Sequence, residues 1–341
     1  MIPRLEIHFS LADQWQFIFG KASVPKDNVF LLNHARTGLL LALQATGFPV
    51  GSRVGVMVYN CHTVMNAVEQ AGYLPVFLDI NDKLKLDLDD LRRKVEGMSA
   101  LVVTHLFGIV NDVKRIKEMF PGLIIIEDCA HAYGMTDLHG DFAVFSIGQG
   151  KFPSIGDGGI LWVLNKKYKD SVKTWYSELP RYSFFQNSAL FFKLLVNSWM
   201  YSPLLYGWIT LPMKKRRGIT QGKVSISPRK MSTRVQGVYV GKEDRVTEMI
   251  SLRKKKASEL LADLPQGEIR AILGENAFML VLFCDNPVWL KAFFRHKGID
   301  TETHFAHAFD WARSFGYVWG MCPQAESLIN HLLMVPTYCI R

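Results

Sequence analysis

Paired cysteines, a leader segment and repeats are what this sequence lacks. Its five cysteines, Cys61, Cys129, Cys284, Cys322 and Cys339, are an odd set with no CxxC pair. That is the pattern of reduced thiols in a cytosolic protein. The opening MIPRLEIHFSLADQ has no apolar core behind a basic start, so no secretory signal is expected. No internal repeat and no low-complexity tract is present. Acidic side chains are the scarcer charge, 31 against 40 Lys and Arg, for a net +9. The excess suits anionic small molecules, an acidic membrane surface or nucleic acid, and does not choose among them. Nucleic acid has only this net charge in its favour and is set aside. With 341 residues, 49% hydrophobic and 21% charged, the composition is that of a folded protein of one large or two ordinary domains.

What is there is rhythm. Short apolar runs at 54–59, 74–80, 100–107, 123–129, 143–147 and 159–164 read as buried strands. Helical stretches separate the first four: CHTVMNAVEQAG, LDLDDLRRKVEG and NDVKRIKEMF. Strands and helices alternating at this length imply βαβ units and a largely parallel sheet. Upstream, TGLLLALQATG (37–47) reads as a helix stopped by Gly47. Residues 165–230 break the rhythm with an aromatic-rich, hydrophobic and then basic insert. Residues 234–264 carry apolar spacing near 3.6 and read as one long helix. A strand (277–284) and a helix (286–298) then suggest a smaller α+β unit. The expected division is 1–230 and 231–341.

The chemistry concentrates in LIIIEDCAHAYG followed by GDFAVFSIGQGKFPSIGDGG, residues 123–159. Asp128 ends a buried run, and Lys151 stands alone in a glycine-bracketed loop. A lysine amine and a carboxylate are the two side chains that pyridoxal 5′-phosphate (PLP) chemistry requires. The amine forms a Schiff base with the aldehyde, and the carboxylate keeps the pyridine nitrogen protonated. Open α/β sheets bind ligands at the carboxyl ends of their strands, where Asp128 falls. Adjacent Glu127 is turned to the other face by strand alternation.

With GYLPVFLDI, THLFGIVNDVKRI, KMSTRVQGVYVGK and CPQAESLINHLLMVP in the same order, the chain resembles the DegT/StrS family of PLP-dependent nucleotide-sugar aminotransferases. The resemblance implies an α/β, fold type I PLP-dependent transferase, whose large domain has a mostly parallel sheet of the seven-stranded type beside a smaller C-terminal α+β domain. It also implies PLP as cofactor, no metal, and a cytoplasmic homodimer. Lys151 then matches the Schiff-base lysine, and Asp128 the partner of the pyridinium nitrogen. His131 takes the family's Gln/His position beside the cofactor, and Ser146 the serine on its phosphate. Arg36 and Thr37 open a helix where the family usually reads Gly-Thr. Backbone N–H groups there already favour a phosphate, and Arg36 adds a charge. His304 aligns with a histidine on the substrate side.

The chain also departs from the family. Cys61 stands where many members place a ring over the cofactor, leaving Tyr59 or His62 to stack there, or the ring to be covered differently. Pro228 replaces the Asn that reaches the neighbouring subunit's phosphate, with Lys230 as a replacement. The insert's run from Leu194 to Met213 has no charged residue and approaches the length of a membrane span. Pro203, Gly207, Asn197 and the need to fold both flanks into one enzyme argue against a span. Two readings stand for 190–217. One is a membrane-surface helix pair with Trp199, Tyr201, Tyr206 and Trp208 at the interface and Lys214, Lys215, Arg216 and Arg217 on acidic lipid. The other is a buried dimer or domain contact.

The family implies transfer of an amino group, by habit from glutamate, to a nucleotide-linked keto-sugar in surface-polysaccharide or glycoconjugate biosynthesis. Two alternatives remain open: a different PLP-dependent reaction, and a non-catalytic, membrane-associated partner on the same fold.

Overall fold

The six apolar runs, joined by β1, form one seven-stranded sheet in the order β1-β7-β6-β5-β4-β2-β3. The structure is a computed structural model and describes residues 1–22, 25–216, 222–265 and 267–338. The strands are β1 Val29–Leu32, β2 Arg53–Met57, β3 Leu74–Leu78, β4 Met98–Thr104, β5 Ile124–Asp128, β6 Phe142–Ser146 and β7 Gly159–Val163. Pairs β2–β3, β2–β4, β4–β5 and β5–β6 are parallel. β7 alone runs against its neighbours β6 and β1. The expected α/β fold with a mostly parallel sheet is borne out. β6 is buried along its whole length, as a parallel strand covered on both faces must be.

Helices α1 Leu11–Phe19, α2 Ala35–Ala45, α3 His62–Gln70, α4 Leu88–Lys94, α5 Val113–Met119 and α6 Lys169–Glu178 surround this sheet. The insert continues as α7 Phe184–Met200, opened by a Ser183–Gln186 capping box, and then α8 Pro203–Leu205. A π-helical turn at Tyr206–Thr210 leads into α9 Leu211–Arg216. Among the described residues no helix is long and apolar enough to cross a membrane. Arg217 lies outside the described residues, as do the side chains of Lys214, Lys215 and Arg216.

The single long helix expected over 234–264 is corrected. The structure has α10 Thr233–Glu243 and α11 Val246–Ala262, parted at Asp244 and Arg245. The apolar period continues through the break, so periodicity alone does not reveal it. The two halves have different neighbours: α10 packs on α1, while α11 sends Leu260 into a second core. That core lies against an antiparallel sheet, β8 Arg270–Leu273, β9 Met279–Phe283 and β10 Leu332–Pro336, with α12 Pro287–His296 over it. Alternation along β9 joins the cores: Leu280 and Leu282 face the second, Met279, Val281 and Phe283 the main one. Helices α13 Ala308–Arg313 and α14 Pro323–Leu328 complete the chain before β10.

One close approach places the candidate site. Gly159 starts β7 directly beneath the first turn of α2, and a Cβ there would overlap the Ala35 nitrogen and the His34 carbonyl. Only glycine lets the helix start so near the sheet. Gly159→Ala is therefore expected to lower the unfolding free energy by about 1–3 kcal/mol. Urea unfolding should show a lower midpoint with an unchanged slope, and an unchanged midpoint would show that α2 shifts freely.

Candidate active site

The carboxyl ends of β5 and β6 bring Asp128 and Ser146 to one edge of the sheet, and the loop after β6 carries Lys151 back over them. Lys151 Nζ lies 2.7 Å from His131 Nε2. The other ring nitrogen of His131, Nδ1, accepts the backbone N–H of Phe107 at 3.3 Å. A neutral imidazole has one N–H; with Nδ1 accepting, the proton sits on Nε2. Nε2 then donates to Lys151, whose amine must be unprotonated to accept. Electrostatics agree: burial pushes both His131 and Lys151 toward their neutral forms, against the opposing pull of Cys61 and Asp128 on the lysine.

Rings hold His131 in place. Phe278 stacks on it at 4.7 Å and 21°, Phe305 at 5.7 Å and 11°, and Phe107 at 5.4 Å and 24°. His304 meets it edge-on at 5.4 Å. Asn276 Nδ2 donates to the carbonyls of His131 and Tyr133, at 2.9 and 3.2 Å, fixing the turn. Phe107 adopts φ 55°, an uncommon conformation for a residue with a side chain. This conformation accompanies the N–H that fixes the imidazole tautomer.

Asp128 is buried, and among the described residues its carboxylate accepts only Thr104 Oγ1 at 3.2 Å and the Ala130 N–H at 3.1 Å. Burial pushes its pKa up, opposed by the Ala130 N–H, by Lys151 and by Thr104. A carboxylate accepts about four hydrogen bonds, so Asp128 has capacity left for a cationic N–H.

Beside it, α2 opens at Ala35 with N-cap His34 and no side-chain cap. Thr37 is buried and its hydroxyl donates to Asn33 Oδ1 at 2.8 Å. Arg36 and the Ser146 hydroxyl have no hydrogen-bond or ion-pair partner among the described residues. Ser146 pairs across the sheet with Gly159, which touches the start of α2. Two uncommitted donors thus stand with a helix N-terminus, a combination suited to a phosphate group.

The remaining sequence candidates fall as follows. Cys61 stands at the N-cap of α3, half-buried, with its sulfur accepting from Thr63 Oγ1 at 3.2 Å. Tyr59 and His62, the two residues offered for stacking, both have protein partners. Tyr59 is wholly buried and donates to the His304 carbonyl, and His62 packs edge-on against Trp311 at 5.0 Å. Lys230 is not brought to Lys151: its Nζ donates to the Ser177 carbonyl at 3.0 Å and covers the Tyr176 ring. Sequence reading missed Phe107, Phe278 and Phe305. Phe107 lies inside the quoted THLFG motif, and Phe305 directly follows His304, whereas nothing near Phe278 marks it.

Residues 22–178 match the model of the DegT/DnrJ/EryC1/StrS aminotransferase family. The resemblance read from the sequence is borne out over that stretch. The chain is 29% identical over 140 residues to GDP-perosamine synthase of Vibrio cholerae, covering 38% of each chain. It is 34% identical over 131 residues to L-glutamine:2-deoxy-scyllo-inosose aminotransferase of Streptomyces kanamyceticus, covering 36% of this chain and 31% of that one. The match therefore spans less than half the length of these curated relatives. Among solved structures, AtS13 from Actinomadura melliaura aligns with TM-score 0.72 at 17% identity, over 99% of this chain and 94% of that one. The PMP form of the putative sugar aminotransferase Spr1654 from Streptococcus pneumoniae aligns with TM-score 0.75 at 15% identity, over 99% and 94%. These likenesses extend the shared fold to nearly the whole chain.

A titrating pair flanks the phosphate-like corner. His34 Nδ1 lies 3.2 Å from Asp157 Oδ1, and Tyr182 donates to Asp157 Oδ2 at 3.0 Å. The spacing would allow an ion pair, but burial dominates: Asp157 is raised to about 6, and His34 is lowered to about 4 with Arg36 adding to the effect. An acid raised in the folded state loses stability as pH rises through its folded pKa. A base depressed there loses stability as pH falls from its ordinary value. The two windows overlap and nearly cancel. Asp157→Asn should therefore leave a protein whose stability falls as pH drops from 6.5 toward 4, and His34→Gln one whose stability falls as pH rises from 4 toward 6. Thermal unfolding across that range checks both slopes; parallel profiles in all three proteins would refute the pairing.

Proposed function

We propose that this chain is a PLP-dependent aminotransferase that moves an amino group, from glutamate, to a nucleotide-linked keto-sugar. The observation that carries this reading is the 2.7 Å contact between Lys151 Nζ and His131 Nε2, one strand away from a buried Asp128 with spare acceptor capacity. Those residues fit PLP. Asp128 would hold the proton on its ring nitrogen, and Lys151 would bind its aldehyde. Arg36, Ser146 and the first N–H groups of α2 would hold its phosphate. When bound, PLP supplies an aldehyde that takes up amines and a ring that withdraws electrons from the carbon beside them.

The chain's own residues then have defined work. Lys151 reacts only as the free amine, and burial pushes it toward that form. Released by the incoming donor, the same Nζ takes a proton from the donor's Cα and delivers it on the other side of the transfer. His131, fixed by Phe107 and Asn276, orients that amine. The aromatic surround of Phe107, Phe278 and Phe305 excludes water, which strengthens each charge interaction inside. Surface-polysaccharide or glycoconjugate biosynthesis, cytoplasmic residence and a homodimer belong to the same proposal. Unpaired Cys61, Cys129, Cys284 and Cys322 support a reducing compartment.

The test uses the full chain with added PLP. Wild type should show visible absorbance from lysine-bound PLP, lose it on addition of glutamate, and aminate a member of a keto-sugar nucleotide panel read by mass. Lys151→Ala should abolish the band and cut turnover by at least about 10²–10⁴-fold. Activity retained in Lys151→Ala without any lysine-dependent band would sink the proposal. A band that no amino donor changes would redirect it to another PLP-dependent reaction.

A further inference from the structure

The net charge of +9 is not spread along the chain. Between Glu178 and Glu243 there is no Asp or Glu, yet eleven Lys and Arg occur there. The rest of the chain, with 31 acidic and 29 basic residues, is close to neutral.

The same segment exposes an apolar stripe. On α7, Phe185, Phe192, Val196 and Trp199 recur at helical spacing and are exposed, while Leu190 and Leu194 on the opposite side are buried. Leu204 (82% exposed) and Trp208 (86%) extend the exposed apolar surface beyond the helix. A second stripe belongs to α1, where Leu11, Trp15, Ile18 and Phe19 are exposed at spacings of four, three and one. The two helices are fastened together. Phe191 packs on Phe9 and Phe17 at 5.6 and 5.4 Å, and the Phe9 N–H donates to Ser198 Oγ at 2.9 Å. Exposed cations border both stripes: Lys193 beside Phe192 on α7, Lys21 just after α1, and Arg234, which donates to the Ile18 carbonyl. Two exposed apolar stripes on joined helices mark an interaction face, because burying such large side chains is favourable.

We propose that α1 and the α7–α9 segment dock this chain on the surface of an acidic lipid bilayer, with both helices lying in the interface plane. The charge pattern selects this occupant over a second copy of the chain. A two-fold dimer contact sets the same patch against itself. The exposed charges that border this patch are cations, so it would then meet its own charge, which destabilises the contact. Anionic headgroups supply the opposite charge, and Trp15, Trp199 and Trp208 are the side chains that favour the boundary between headgroups and acyl chains. A cavity of about 770 Å³ shares Phe9, Leu195 and Trp199 with this region and runs toward Val238, Met249 and Leu252. It gives apolar matter from that boundary a place to enter. No described helix is long and apolar enough for a span, so the contact is peripheral.

The experiment is flotation of the full chain with vesicles of phosphatidylglycerol and, separately, of phosphatidylcholine. Wild type should float with the first, stay behind with the second, and be released by salt. Trp15→Ser/Trp199→Ser/Trp208→Ser should lose flotation while keeping the wild-type mass on sizing. These tryptophans are exposed, so folding should survive; far-ultraviolet circular dichroism checks it. Should that variant misfold, Lys21→Gln/Lys193→Gln decides instead, with vesicle affinity falling about fivefold per charge removed. Wild type that ignores phosphatidylglycerol overturns the proposal. So does a folded tryptophan variant of lower mass, which would give the face to a second copy, or a charge variant that binds as wild type does.

Discussion

The contact between His131 Nε2 and Lys151 Nζ is the interaction on which the site depends, and little of what makes it possible is local. An imidazole beside a lysine in water would leave the lysine charged. Here the backbone N–H of Phe107 occupies Nδ1, so the ring must donate from Nε2, and three phenyl rings keep water away. Each partner enforces the other's protonation state. A buried amine has a depressed pKa on desolvation alone; the fixed tautomer adds a donor that only the free amine can accept.

That arrangement needs the second sheet. Asn276 and Phe278 come from the turn into β9, and the turn approaches the site closely: a Cβ on Gly274 would overlap the backbone of Phe107 and Gly108. Glu275 N–H donates to the Gly108 carbonyl at 2.9 Å, locking the two turns together. The unusual backbone of Phe107 is thus held from outside its own segment, as strained residues at functional sites must be. Asp128 follows the same logic with opposite charge. Burial raises its pKa, and the few donors around it leave the carboxylate under-satisfied. A buried acid and a buried amine, each driven toward neutrality, form an environment that a cationic heterocycle would relieve.

This division explains what could be read from the sequence. Strands, crossover helices and the Asp128–Lys151 spacing are local patterns of period and punctuation, and they were legible. The strand ends at Asp128 and Ser146 follow from apolar runs that stop where the sheet's edge begins. The ring cluster was not legible, because Phe107, Phe278 and Phe305 meet only after β9 has joined two cores. The break at Asp244 was hidden because α10 and α11 keep one period while changing neighbours.

The insert's hydrophobicity has two sources that sequence alone merges into one run. Its inner residues answer to the enzyme: a Cβ on Gly156 would meet the tip of Leu194, so α7 rests directly on the loop that carries Lys151, and the φ of 100° at Gly156 favours glycine there. Its outer residues, Phe192, Val196 and Trp199, answer to whatever covers the face. Had the run served packing alone, the outer positions would carry charge, as the exposed faces of ordinary surface helices do. Had it served a span, the buried Leu190 and Leu194 would have no protein to meet. A helix apolar on both sides, with one side on the lysine loop and the other open, therefore sits between the chemistry and a second surface, and its position ties the two together.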